Sequence, residues 1–343
     1  MPGSLQTPTG GFLYDKKILM GLDADGWTVN VLDVGTGFPF PEPQTLQRAQ
    51  DYLLGDGDPS ILVVDGLALG VMPEAAARLS ERRPLLALVH HPLYLETGLT
   101  DDQSRDLFET ERIALSGVRG VITTSPETKT RVGEDFAVEA HRIWTVEPGF
   151  DRPDTLPPVN RDGPVRILSV GSLVPRKGHD RLIAALSDLT ALEWTLTIVG
   201  ADDRDPDHTK LLRSLIAEHG LHGRVILTGA IPDPALRDAY LSSDLFALAS
   251  HYEGYGMAYA EAILHGLPVI GTTGGAITST VPPGTGLLVA PDDPAALRDA
   301  LRSMLADTAT RCEIAERARR SGAAFQTWED AARRFASILE TVA

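Results

Sequence analysis

Short β-branched and aliphatic runs alternate with longer stretches of helical periodicity along the whole chain, which is the pattern of a parallel α/β protein. In the first half the periodicity predicts strands over Thr28–Val34, Ile61–Asp65, Leu85–His90, Val118–Thr124 and Ile143–Val146. In the second half it predicts Val165–Val170, Trp194–Val199, Val225–Leu227, Leu245–Ala249, Val269–Gly271 and Gly286–Val289. The second set is mostly apolar, as expected for strands covered by helices on both faces. Between the halves, DRPDTLPPVNRDGP has the Pro- and Asp-rich composition of an exposed linker. At the end, Thr327–Val342 places Trp328, Ala331, Ala332, Phe335, Ile338 and Leu339 at helical spacing. The chain therefore reads as two doubly wound Rossmann-like domains facing across a cleft. The first covers 1–152, a linker covers 153–163, the second covers 164–325, and a final helix covers 326–343.

One element of this pattern is missing. The helical pattern Tyr14–Leu22 precedes the first strand, whereas a doubly wound domain opens with a central strand. Met1–Leu5 is too short and too rich in Pro and Gly to supply it. The first domain is thus expected to lack its opening strand, and truncation upstream of Met1 is the favoured reason.

Composition changes this picture mainly by exclusion. A length of 343 residues and 43% apolar content fit two ordinary domains with real cores. A formal charge of −16 argues against nucleic acid or an anionic membrane as partner, while leaving room for a local basic site or a small peripheral membrane contact. The single cysteine, Cys312, has no partner for a disulfide and no ligand-spaced neighbours, so it reads as a half-buried small side chain. No apolar run approaches the ~20 residues that span a bilayer. The N-terminus has neither a basic nor an apolar signal region, so a cytoplasmic location is expected.

Two segments carry candidate chemistry. Strand Val165–Val170 runs into Gly171-Ser172-Leu173-Val174-Pro175-Arg176-Lys177-Gly178, and a helix follows at His179–Leu186. Adjacent cations in a glycine-bearing loop at the carboxyl end of a parallel strand make an anion site, with helix N–H groups adding to it. After strand Leu245–Ala249 comes Glu253-Gly254-Tyr255-Gly256-Met257-Ala258-Tyr259-Ala260-Glu261. Glu253 lies in the loop and Glu261 early in a helix, so both can serve one pocket. A carboxylate accepts hydrogen bonds from vicinal hydroxyls such as those of a ribose or a pyranose.

Together and in this order, these segments resemble the family 4 glycosyltransferases, retaining enzymes of the two-Rossmann-domain, GT-B-type fold. The resemblance covers almost the whole chain: GSLVPRKGHDRLIAAL looks like the phosphate loop, EGYGMAYAEAILHGLPVIGT like the E-x(7)-E motif, and GGAITSTVPPGTGLLVAPDDPAAL like the next segment. TWEDAARRF looks like the closing helix, which crosses back to the first domain. The resemblance implies that Arg176 and Lys177, after Gly171 and Ser172, hold the diphosphate and stabilise the leaving group. It implies that Glu261 binds ribose hydroxyls, and that Glu253 with the backbone of Gly254, Tyr255, Gly256 and Met257 holds the transferred sugar. Gly10 and Gly11, after Thr9, resemble the glycine loop that reaches the donor phosphates from the first domain. His90 matches the first-domain histidine near the reacting carbon, with His91 as the competing candidate.

The implied reaction is transfer of a hexose from a nucleotide diphosphate sugar to an unknown acceptor hydroxyl. No metal or cofactor is expected, because fixed cations and N–H dipoles can meet the phosphate charge. Two other readings use the same residues. A glycoside phosphorylase would need no ribose ligand such as Glu261, and a non-catalytic binder would hold donor without turning it over. Four further motifs read as ordinary structure. Asp23-Ala24-Asp25 sits in a helix-end turn, Asp202, Asp203, Asp205 and Asp207 lack the spacing of a calcium loop, Gly35-Thr36-Gly37 lacks a third glycine, and Ser125-Pro126 lacks a hydrolase context.

Overall fold

The computed structural model describes residues 1–3, 5, 9–55, 60–156, 158 and 162–343. Within the segment expected as a linker, residues 157 and 159–161 lie outside the described residues, as do residues 4 and 6–8 near the start. The chain divides into two compact units, one formed by Met1–Gly149 with Gln326–Ala343 and the other by Phe150–Phe325.

In the first unit, strands β1 (Leu62–Asp65), β2 (Leu85–Val89), β3 (Gly120–Thr123) and β4 (Ile143–Thr145) form a parallel sheet in chain order. The expected strand Thr28–Val34 does not form: its residues belong to no strand of the sheet. Its backbone instead meets the first residue, with the Met1 amine donating to the Leu32 carbonyl (2.8 Å) and Val34 N–H donating to the Met1 carbonyl (3.1 Å). Strand propensity expresses fit to a half-buried pleated surface. Most of this segment is exposed, so its Val-rich pattern finds no ladder to join.

The helix Gly10–Ala24 buries Tyr14, Ile18 and Leu22 against Ala331, Phe335 and Leu339 of the helix Trp328–Val342. Burial of each such large apolar side chain stabilises the unit by about 1.5–3 kcal/mol. Thr327 and Asp330 close the start of the second helix with reciprocal side-chain-to-backbone bonds. Tyr14 also donates its hydroxyl to the Val146 carbonyl at 3.0 Å, so the polar end of a fully buried ring is satisfied.

Glu111 is an anomaly in this core. It is 1% exposed, accepts Leu93 N–H on Oε2 at 2.8 Å, and has no partner on Oε1 among the described residues. Burial pushes its carboxyl up to about 8, against the smaller opposing effect of the Leu93 bond. A carboxyl whose folded value is raised contributes stability that is full below its ordinary value of 4.5 and is lost as pH rises through about 8. Glu111→Gln, which cannot ionise, is therefore expected to melt several degrees above wild type at pH 8 and close to wild type at pH 5. Parallel calorimetric scans at the two pH values measure this, and equal melting at pH 8 rules it out.

The second unit holds β5 (Val165–Val170), β6 (Trp194–Val199), β7 (Val225–Leu227), β8 (Leu245–Ala247), β9 (Val269–Thr272) and β10 (Gly286–Val289). All pair in parallel, in the order β10-β9-β8-β5-β6-β7. This is the doubly wound order of a dinucleotide-fold sheet, and it reverses between β5 and β8. Ile167, Leu196, Leu212, Ile270, Leu301 and Met304 lie in the core on one side of that sheet. Among the described residues, no helix is long and apolar enough to cross a membrane.

Candidate active site

Open parallel sheets bind ligands outside the carboxyl ends of their strands, where the strand order reverses. Here β5 and β8 are neighbours, with Ile167 opposite Leu245 and Leu168 opposite Phe246. The loops that leave them therefore emerge side by side. Pro175–Lys177 makes one 3₁₀ turn, and Gly178 ends it at φ +63°. A Cβ on Gly178 would lie 2.0 Å from the Ala249 carbonyl oxygen, so both the left-handed turn and the closeness of the two loops need glycine. His251 N–H adds a clamp by donating to the Arg176 carbonyl at 2.8 Å.

This clamp brings one carboxylate and two cations together. Lys177 Nζ donates to Glu253 Oε1 at 2.6 Å, and Ser250 Oγ donates to the same oxygen at 2.6 Å. Arg176 Nη1 donates to the Tyr252 carbonyl at 2.9 Å and lies 3.4 Å from Glu253 Oε2. Glu253 is only 6% exposed. Burial alone would raise its carboxyl, yet Lys177, Arg176 and Ser250 outweigh burial and hold it at about 2. It is therefore a permanent anion between two cations, and the cluster carries a net positive charge. The backbone of Glu253 is fixed as well: its carbonyl accepts Ala276 N–H at 2.9 Å and its N–H donates to Gly274 at 3.3 Å.

The remaining predicted residues of this unit lie on the same two loops and on the helix that follows the second. Gly171 receives the stem of Lys177, whose Cδ would lie 3.1 Å from a Cβ at that position. The Gly171 carbonyl accepts from His179 Nε2 at 3.2 Å, which fixes Nδ1 as the acceptor for Ser169 Oγ at 3.3 Å. Burial holds His179 down at about 4, so it stays a neutral support beneath the loop. Ser172 is half-buried in the same loop, and its carbonyl accepts Val174 N–H at 2.8 Å. Gly254 is half-buried beside Glu253, Tyr255 is buried with its ring stacked on Phe150, and Gly256 opens the helix Met257–Leu264, in which Met257 is the first residue. Glu261 stands one turn further along this helix, half-buried, and accepts the Tyr240 hydroxyl on Oε2 at 2.8 Å. Burial raises its carboxyl to about 7; Asp233 and Asp151 push the same way, and the Tyr240 bond opposes them. Glu253 and Glu261 thus share one loop–helix segment but differ in state, the first locked as an anion and the second poised near neutrality.

The other predicted residues belong to the first unit. Gly10 and Gly11, expected as a loop, are instead the first turn of the helix Gly10–Ala24, whose N-cap is Thr9. Gly11 faces the His90 ring, 3.7 Å from where its Cβ would stand. His90 Nε2 lies 3.2 Å from Asp15 Oδ1, while His91 pairs with Glu96 at 3.3 Å. Burial would lower the His90 imidazole, but Asp15 and, less strongly, Asp65 raise it overall. The ligand atoms of Asp15, Asp65 and His90 lie within 4.8 Å of one another. Asp65 Oδ1 also accepts Leu67 N–H at 2.8 Å. With Asp15 bonded to the ring, this group is a charge-supported histidine before it is a metal seat.

Residues 153–321 match the model of the family described as glycosyl transferases group 1. The second unit is a group 1 glycosyltransferase domain. The D-inositol 3-phosphate glycosyltransferase of Xylanimonas cellulosilytica is 29% identical to this chain over 263 residues, which cover 72% of the chain and 62% of that relative. The chain thus spans less than two thirds of that protein's length. Sucrose-phosphate synthase of Thermosynechococcus elongatus superposes with a TM-score of 0.80 at 22% identity, covering 97% of this chain and 94% of its own. The Anabaena protein HepE, solved with UDP and glucose, gives 0.73 at 21%, covering 99% and 98%. At these identities the likeness is one of fold. The group 1 domain accordingly has the two-loop architecture described above at its strand-order reversal.

Several site residues escaped the sequence pattern. Ser250, three residues before Glu253, carried only that proximity as a signal. Asp15 lies four residues after Gly11, one helical turn from the residue that touches His90, a spacing that a helical reading of Gly10–Ala24 would have picked out. Tyr240 had no local signal, because it comes from a different helix. The four motifs set aside earlier have plain structural roles. Asp25 caps the helix Gly10–Ala24, Asp205 caps the helix Pro206–Glu218, Ser125 caps the helix Pro126–Phe136, and Gly35 and Gly37 form a positive-φ turn. Cys312 is half-buried and free.

Proposed function

We propose that the chain is a retaining hexosyltransferase that takes its sugar from a nucleotide diphosphate donor and passes it to an acceptor hydroxyl without a metal. The supporting observation is the buried Glu253 carboxylate gripped by Lys177 and Arg176 at the β5/β8 reversal, which leaves one net positive charge to meet a diphosphate. In this reading the bond between the anomeric carbon and the β-phosphate oxygen breaks, and its electron pair goes to the phosphate. Arg176 and Lys177 stabilise the charge that develops there. The acceptor oxygen bonds to the same carbon, its proton passes to the departing phosphate oxygen, and the products are a glycoside and a nucleoside diphosphate. Glu253 orients the two cations and, with the backbone of Gly254–Met257, holds the transferred sugar, Glu261 accepts the ribose diol, and the Asp15–His90 pair serves the acceptor side.

Thermal shift with UDP, GDP and ADP tests the donor half: a ligand present at 100 times its Kd stabilises by about 2.7 kcal/mol. A flat response to all three sinks the proposal. Transfer from the matching nucleotide sugar, measured with and without EDTA, then tests turnover and the absence of a metal.

The state of Glu261 adds a pH dependence. An ionised carboxylate accepts two diol bonds, whereas the protonated acid must give up one accepting site. With its carboxyl raised to about 7, diphosphate affinity is expected to hold above pH 7 and to fall about tenfold for each unit below it. Calorimetric titration from pH 5.5 to 9 measures this, and a flat profile contradicts it.

A further inference from the structure

Tyr240 lies on the helix Asp233–Ser242, 2% exposed, with its hydroxyl 2.8 Å from Glu261 Oε2. Its ring is held by two near-parallel neighbours, His265 at 4.9 Å with planes 15° apart and Phe246 at 6.3 Å with planes 27° apart. His265 in turn bonds the Glu261 carbonyl through Nδ1 at 2.7 Å. The phenol is therefore a rigid donor aimed at one oxygen of a half-buried acid. Among the described residues, Oε1 of that acid has no hydrogen-bond partner, so its accepting capacity is intact.

We propose that Tyr240 is a positioning residue that holds Glu261 as a fixed acceptor for the ribose hydroxyls of the donor. The inference rests on the assignment of Glu261 to the ribose. A second contact shows how Tyr240 can do this in both states of the acid. The phenol oxygen also lies 3.4 Å from the Ala258 carbonyl. When Glu261 is ionised, the phenol proton goes to Oε2. When Glu261 is protonated, the acid donates to the phenol oxygen and the phenol turns to Ala258. One hydroxyl rotation therefore keeps Oε2 and the phenol paired with each other in both states and holds the side chain in place, while only the ionised acid offers the ribose diol a full carboxylate. The charged groups around this switch are Asp233 on the Tyr240 helix and Asp151 before β5, both of which oppose ionisation, with Arg237 near His265. Tyr240 is the group that favours the anion, so removing its hydroxyl must move the protonation of Glu261 upward.

Binding of UDP and GDP, and of their 2′,3′-dideoxy counterparts, would be measured by calorimetry from pH 6 to 9 for wild type, Tyr240→Phe and Glu261→Gln. In Tyr240→Phe the acid limb of affinity is expected to move up by about one pH unit, the worth of one charge-assisted bond. That shift weakens ribonucleotide binding about fivefold at pH 7 and less than twofold at pH 9. The dideoxy ligands, which cannot use Glu261, should bind Tyr240→Phe as they bind wild type, and this also shows that the variant is folded. Glu261→Gln should lose both the pH limb and most of the preference for ribose. If Glu261→Gln behaves so while Tyr240→Phe matches wild type, the ribose assignment stands and the role of Tyr240 is overturned. Equal weakening of both ligand types in Tyr240→Phe with no change in pH profile also overturns it, as packing alone. If Glu261→Gln keeps its ribose preference, the ribose assignment fails and the inference falls with it.

Discussion

Lys177→Ala is expected to lower sugar transfer by about 10²–10³-fold, the usual loss when one preorganised charge donor to a developing anion is removed. It should also cost stability. Glu253 is buried and would keep only Arg176 at 3.4 Å and Ser250 at 2.6 Å, so a deficit of about 2–3 kcal/mol is expected, somewhat under the cost of an uncompensated buried charge. The two losses are separable. Adding Glu253→Gln to Lys177→Ala removes the stranded charge, so the double variant should regain most of the stability and none of the activity. Steady-state kinetics and denaturant melts on the three proteins measure this, and wild-type turnover in both Lys177→Ala and Arg176→Ala would refute the assignment. Acid should act on the same cluster. A carboxyl depressed to about 2 contributes stability that is present above its ordinary 4.5 and is lost as pH falls between those values. In Lys177→Ala that acid-labile contribution should shrink.

Gly178→Ala should be more damaging to the fold than any single side-chain deletion at the site. Alanine at φ +63° costs about 1–2 kcal/mol in backbone energy. Its methyl carbon would also start 2.0 Å from the Ala249 carbonyl oxygen, which is backbone and cannot swing aside. Separating the two loops enough to admit it must stretch the bond from His251 to Arg176, and a total near 3–5 kcal/mol is expected. The consequence for function follows from the same geometry, since Lys177 would leave Glu253 and Gly171 together. Calorimetry should show a lower melting temperature along with lost diphosphate binding. A variant that melts like wild type and binds normally would show that the loops are not clamped at this point.

The periodic pattern determined much of this protein by itself. The β-branched and aliphatic runs at Val165–Val170 and Trp194–Val199 are strands with those same bounds, because buried parallel strands leave few alternatives for such sequences. The Arg176-Lys177 pair and the Glu253–Glu261 spacing were also legible, since each lies within one loop or one loop–helix segment. The pattern misled where an element depends on a neighbour: Thr28–Val34 has strand-forming residues but no strand beside it, and Gly10 and Gly11 begin a helix. Tertiary structure alone decided the pairing of Glu253 with Lys177, 76 residues apart in the chain, because that contact exists only once β5 and β8 lie side by side. It likewise decided that Glu253 is a locked anion and Glu261 a titrating acid. Residue type and spacing treat two glutamates alike. What separates them is which cations, acids and hydroxyls the fold gathers around each one, and that depends on distances through space that local sequence does not encode.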